Sequence, residues 1–99
     1  MAYKILVTPD ASKQIEEAVS YYIEHASKKV ASKFLQDYKK AVADILKVRY
    51  FQVCYLNFRG RMMRTFPYIV FYTIDEEQQI IVVKAVFHTA QNPIKHPTK

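Results

Sequence analysis

His88 closes a segment, Ile80 to Phe87, that is apolar except for Lys84, and Arg59, Arg61 and Arg64 cluster a little earlier in the chain. An imidazole titrates near neutral pH, and guanidinium forks bind phosphate oxygens bidentately. Together these groups suit general acid–base work on a phosphodiester, removing a ribose 2′-OH proton or protonating a leaving group. The same spacing also fits a histidine hydrogen-bonded at a strand end, and arginines that guard a strand edge or pair with acids on helices. Other chemistries are poorly supplied. His25 and His96 have no paired spacing with His88, so the reading is no metal and no cofactor. Cys54 is the only cysteine, which excludes an intramolecular disulfide; with no activating neighbours it reads as a core residue. No acid lies between Lys47 and Ile74, which argues against paired-carboxylate hydrolysis. The single glycine, Gly60, excludes a Gly-rich phosphate loop.

The elements that must position these groups follow from periodicity. Tyr3 to Thr8 reads as a short strand that Pro9-Asp10 breaks, with Asp10 or Ser12 as the helix cap. Ile15, Val19, Tyr22, Ile23 and Ala26 then share one helical face. Ser27 restarts the pattern, and Val30, Phe34, Tyr38, Ala41 and Ile45 form a second stripe. Lys28, Lys29, Lys33, Asp37, Lys39 and Lys40 fall between the stripes, on the solvated face. Residues 10–47 therefore read as an antiparallel helical hairpin with its turn at His25–Ser27.

After Lys47 the period changes to two. Strands are expected at Tyr50–Asn57, Arg61–Phe66, Tyr68–Ile74 and Gln79–His88, with turns at Asn57–Gly60, Thr65–Tyr68 and Asp75–Gln78. Short links make this an antiparallel meander. On the last strand Ile81, Val83, Ala85 and Phe87 make a wholly apolar face that should meet the helices, opposite Ile80, Val82, Lys84, Val86 and His88. The fold class is α+β: an N-terminal strand, an antiparallel helical hairpin, then a C-terminal antiparallel β-meander packed on the helices. Residues 1–99 read as one domain with a loose tail over 89–99.

The chain has 99 residues and a formal charge of +6, so one modest core must carry a basic surface. Residues 1–44 hold seven lysines and six acids, whereas residues 45–99 hold eight basic residues and three acids. The excess thus lies in the sheet half, where Arg59, Arg61, Arg64 and Lys84 are expected to form one basic face interleaved with Tyr68, Tyr72 and Phe87. Such a face suits a polyanion, either nucleic acid or an acidic protein. No run of apolar residues is long enough for a membrane span, and the first residues lack a secretory h-region, so a cytoplasmic protein with no membrane partner is expected.

Two segments carry a resemblance over nearly the whole chain. Arg64-Thr65-Phe66-Pro67-Tyr68 followed by a β run to Tyr72, and a closing strand ending His88-Thr89-Ala90-Gln91-Asn92-Pro93, resemble the RelE/ParE superfamily of type II toxin–antitoxin toxins. The resemblance implies the toxin of a plasmid-stabilisation module, neutralised by a cognate antitoxin whose acidic C-terminal segment covers the basic surface. ParE-like members inhibit DNA gyrase by binding; RelE-like members cut mRNA on the ribosome. In the RelE-like branch, Arg64 matches one basic position, the other cations fall near Gly60, Met62 and Ile69, and an arginine after the last strand falls on Gln91. That pattern implies a ParE-like, non-enzymatic toxin. The alternatives are a ribosome-dependent endoribonuclease, with His88 as acid or base and Arg61 and Arg64 on phosphate, or a degenerate, non-toxic member.

Overall fold

The computed structural model describes residues 3–51, 53–55 and 58–89. The chain runs β1 (Lys4–Val7), α1 (Pro9–His25), α2 (Lys28–Val48), β2 (Val53–Tyr55), β3 (Phe58–Met62), β4 (Tyr68–Asp75) and β5 (Ile80–His88). This is the expected α+β architecture. The five strands form one sheet in the order β1-β5-β4-β3-β2. β2 through β5 make the antiparallel meander, and β1 adds to the far side of β5 in parallel. The hairpin covers one face of the sheet. No helix among the described residues is long and apolar enough to cross a membrane.

Both helices start at a hydroxyl. Thr8 caps α1, its side-chain oxygen accepting from the Ala11 amide at 3.2 Å. This corrects the expectation of Asp10 or Ser12. Pro9 has no N–H to satisfy and a φ already helical, so it takes the first helical position and the residue before it, Thr8, becomes the cap. Ser27 caps α2 through the Val30 amide at 3.1 Å, where the pattern restarts. At its other end α2 stops at Arg49, whose φ is 70°. A side chain in that region costs about 1–2 kcal/mol. Three contacts hold it: the Arg49 guanidinium donates to the Leu46 carbonyl at 3.0 Å and lies 4.4 Å over the Tyr3 ring, and the Arg49 carbonyl accepts from the Tyr72 hydroxyl at 2.7 Å.

Strand boundaries differ from the periodicity reading in three places. β2 begins at Val53, so Tyr50 and Phe51 precede the strand expected over Tyr50–Asn57; Arg49, at φ 70°, ends α2 just before them. β3 begins at Phe58, so Phe58, Arg59 and Gly60 lie in a strand rather than a turn, with Gly60 in register with Phe71. Met63 to Pro67 form a loop instead of extending a strand to Phe66. The reason lies on α2, where a buried carboxylate gathers the loop amides. The expectations for Asn57, Gln91, His96 and the Cys54 side chain fall outside the described residues. So does the tail, except Thr89, whose amide and hydroxyl both donate to the Pro67 carbonyl.

A bulge in β5 corrects the facing of its second half. Phe71 pairs with Ala85 and Tyr72 with Val83, which leaves Lys84 as the extra residue. One inserted residue inverts the alternation beyond it. Ile81 and Val83 face the helices as expected, but so do Val86 and His88, while Ala85 and Phe87 turn to the open face with Phe58 and Phe71. The main core therefore joins Phe34 and Ile45 of α2 to Tyr68, Val70 and Tyr72 of β4 and to Ile81, Val83 and Val86 of β5.

Beyond the bulge β5 outruns its parallel neighbour β1, and side chains take over the backbone bonding. The Thr8 hydroxyl donates to the Lys84 carbonyl at 3.3 Å, and Gln14 of α1 accepts from the Val86 amide at 2.7 Å. Gln14→Ala should therefore cost about 1–2 kcal/mol, because it strands a part-buried amide. Urea denaturation checks this, with Gln14→Glu, which keeps an acceptor, expected to lose less.

Candidate functional site

The loop Met63–Pro67 carries most of the motif residues, and α2 builds it. Asp37 is 6% exposed although ionic, and its carboxylate accepts from three successive amides: Arg64 at 3.3 Å, Thr65 at 2.8 Å and Phe66 at 2.9 Å. Convergent N–H groups stabilise a buried anion as a helix N-terminus does. Asp37 was expected on the solvated face. Its spacing gave the contrary signal: it lies three residues after Phe34 and four before Ala41, within the buried stripe. With its backbone fixed, the loop drops Phe66 against Tyr22 and Phe34, with ring centroids 5.1 and 5.5 Å apart. Pro67 stays exposed.

Tyr68 follows at the start of β4, 8% exposed. Its ring meets Phe34 and His88 edge-on, each at 5.0 Å. Burial, then the neighbouring Tyr22 hydroxyl to which it is hydrogen-bonded, pushes the Tyr68 phenol up to about 12. The raised value means the folded protein holds this proton more tightly than the unfolded chain. The resulting stability is complete below the ordinary tyrosine value of 10.0 and is lost as pH rises through about 12. An ultraviolet titration of wild type against Tyr68→Phe should show one late-ionising phenol missing from the variant.

The four expected basic residues do not form one stripe. Arg59 and Arg61 lie on the helix-facing side of β3, in register with Tyr72 and Val70. Arg61 donates to Asp44 of α2 at 2.9 Å and lies 4.7 Å over the Phe51 ring. The Arg61 hydrogen bond, opposed by burial and helped by the charges of Arg61, Arg64 and Lys47, holds the Asp44 carboxyl below the usual carboxylate range. Arg59 donates to the Phe51 carbonyl at 2.7 Å and lies 5.3 Å over the Tyr50 ring. Arg64 projects from the loop, its side chain 72% exposed, with Asp44 3.9 Å away. Lys84 sits exposed on the bulge of β5, with β4 between it and the arginines. Nor do the aromatics interleave with them on one face: Tyr68 and Tyr72 are buried toward the helices, and Phe87 turns the other way.

His88 faces α1. It lines a groove with Gln14, Glu17, Tyr21 and Tyr68, on the α1 side of the aromatic cluster, whereas Arg61 meets Asp44 of α2. The open face of the sheet, by contrast, is apolar where β3 and β4 meet. Met62 pairs with Ile69 and Gly60 with Phe71, whose ring is 5.9 Å from Phe87. Met62 is 51% exposed there.

Comparison with known proteins places this geometry. A family model described as the ParE toxin of type II toxin–antitoxin system, parDE, matches residues 5–93. Among solved structures, the chain is similar to one from the chromosomal ParDE toxin–antitoxin system of P. aeruginosa, with a TM-score of 0.76 and 13% identity, covering 88% of this chain and 96% of that one. It is similar to a mutant of the E. coli toxin RelE in the free state, with a TM-score of 0.63 and 16% identity, covering 94% and 90%. A third likeness is to the RelBE2 toxin–antitoxin complex of Mycobacterium tuberculosis, with a TM-score of 0.58 and 16% identity, covering 89% and 99%. No curated protein matches the sequence. At these identities the structural likenesses speak for the fold, and they span both branches.

Proposed function

This chain belongs to the ParE toxin family of type II toxin–antitoxin systems, and from that premise we propose that it is a toxin that binds DNA gyrase rather than one that cuts RNA. The observation that carries this reading is the apolar open face of the sheet. The resemblance to the RelE-like branch implies cations near Gly60, Met62 and Ile69, and here Met62 pairs with Ile69 and Gly60 with Phe71. Cleaving a phosphodiester requires charge aimed at the oxyanion that develops in the transition state. Met62, Ile69, Phe71 and Phe87 offer none; an exposed methionine beside aromatics is a protein-contact surface. The remaining candidates are divided, with His88 toward α1 and Arg61 bound to Asp44.

The partner that silences the toxin is an antitoxin with an acidic segment. Exposed Arg64 supplies it with charge, and Leu6 and Val7 on edge strand β1 supply apolar contacts for an added chain. The localisation that goes with these partners is cytoplasmic.

Induction in bacteria tests the reading, following the supercoiling of a reporter plasmid and the integrity of mRNA together. Growth arrest with relaxed or broken DNA and intact mRNA is expected. Transcripts cut at codons, with cutting abolished by His88→Ala, would establish the endoribonuclease instead. Absence of any arrest identifies a degenerate member.

A further inference from the structure

Charge on the hairpin is segregated by helix. α1 carries Asp10, Glu16, Glu17 and Glu24 against one lysine, while α2 carries six lysines against Asp37 and Asp44. All six lysines are exposed, and among the described residues none of them has an ion-pair partner. Both carboxylates of α2 already have partners: three loop amides hold Asp37, and Arg61 and Arg64 face Asp44, with Lys47 acting on Asp44 only through its charge. The acids of α1 belong to the neighbouring helix and make no ion pair with these lysines among the described residues.

Position along the helix orders the lysines further. At about 100° per residue, Lys29, Lys33, Lys40 and Lys47 fall within about 40° of one another, a straight row about 27 Å long. Lys28 and Lys39 lie roughly 80° or more away around the helix. The row flanks the anchored loop: Lys33 and Lys40 line a cleft with Gln36, Asp37, Thr65 and Phe66. Exposed Arg64 extends from the same loop.

We propose that this lysine row binds the phosphate backbone of duplex DNA without reading its sequence. Three observations choose the occupant. Apart from the half-buried Phe66 in the cleft, the row offers no apolar or aromatic anchor, and lysine is depleted at protein interfaces, so an acidic protein is poorly matched. No aromatic side chain of α2 is exposed, which disfavours single strands, since these bind through base–aromatic stacking. A rigid row of like charges matches a rigid polyanion, and lysine point charges suit phosphates without specifying bases. The inference does not depend on gyrase being the target. It does give a gyrase-binding protein a means of collecting where its target works.

Fluorescence anisotropy of the full chain with a short labelled duplex DNA tests it, across a salt series. Four lysine–phosphate contacts predict a slope of log K against log salt of about −3 to −4, a loss of roughly 100-fold in affinity between roughly 50 and 200 mM salt. The decisive comparison holds charge constant. Lys33→Gln/Lys40→Gln should reduce the slope by about 2, whereas Lys28→Gln/Lys39→Gln should leave it nearly unchanged. All four substitutions are at exposed positions, and circular dichroism of both pairs confirms the fold. Equal losses from the two pairs would mean diffuse attraction to a basic protein and would overturn the proposal. So would tighter binding to a single strand, or a salt-sensitive dimer by light scattering that the row pair alone dissolves, which would make the acidic α1 of a second copy the occupant.

Discussion

Replacing Asp37 by alanine is expected to cost about 3 kcal/mol of folding stability and to release the loop from Met63 to Pro67. The three amides it receives are consecutive and part-buried, so deletion leaves all three without a partner at once. Hydrogen bonds to a charged group contribute roughly 1.5–3 kcal/mol each, and their loss is only partly recovered by water entering the gap. A domain of this size has about 5–15 kcal/mol in total, so Asp37→Ala takes a large share of it. Asp37→Asn separates charge from shape. It keeps one acceptor oxygen and should retain the fold at a cost of roughly 1–2 kcal/mol. Denaturant melts give the energies, and amide hydrogen exchange at Thr65 and Phe66 reads the loop directly. A variant with unchanged exchange at those amides would refute the role assigned to the carboxylate.

Asp37 also shows where sequence and structure part company. The helical hairpin, the closing meander and the turn at Asp75–Gln78 were legible because each rests on local periodicity or turn chemistry. Long-range demand was not. A polar residue at a buried helical position looks like an error in the pattern until the loop that needs it is in place, 27 to 29 residues further on. The β5 bulge is similar. Ile80 to His88 is apolar at every position but Lys84 and His88, and nothing local marks Lys84 as the inserted residue. Its signal is energetic: an unbroken alternation would have placed Lys84 on the same face as Val86 and His88, and the bulge lets Lys84 stay exposed while Val86 and His88 turn to the helices. The face of His88, and with it the candidate chemistry, depends on that one residue.

Charge was legible in amount but not in place. Summed over half the chain, the hairpin is almost neutral, because acidic α1 cancels basic α2. The sheet half has the larger excess, yet Arg59 and Arg61 spend their donors on the Phe51 carbonyl and Asp44. Free positive charge is set by partners, and partners are a tertiary property. The arginines that drew attention in the sequence are largely structural, while the lysines of α2 hold the accessible field.

The largest loss is expected one turn before Asp37, at Phe34. Its side chain is fully buried, and its ring meets Tyr22, Phe66 and Tyr68 at centroid distances of 5.7, 5.5 and 5.0 Å. Phe34→Ala should cost about 3–5 kcal/mol, the transfer term plus a cavity that three rings and two elements cannot close. Phe34→Leu keeps most of the volume and loses the edge-to-face contacts, so a smaller loss of roughly 1–2 kcal/mol is expected and the fold is kept. Phe34 holds the side chains of the loop motif and Asp37 holds its backbone, so the two act on one structure from one face of α2. A double-mutant cycle of Phe34→Leu with Asp37→Asn should therefore give a combined loss smaller than the sum, with a coupling of roughly 0.5–2 kcal/mol. Once either support is gone, the loop has already loosened and the second has less to hold. Strict additivity in urea melts would show that backbone and side chains of the loop are anchored independently, and that Asp37 serves α2 rather than the motif.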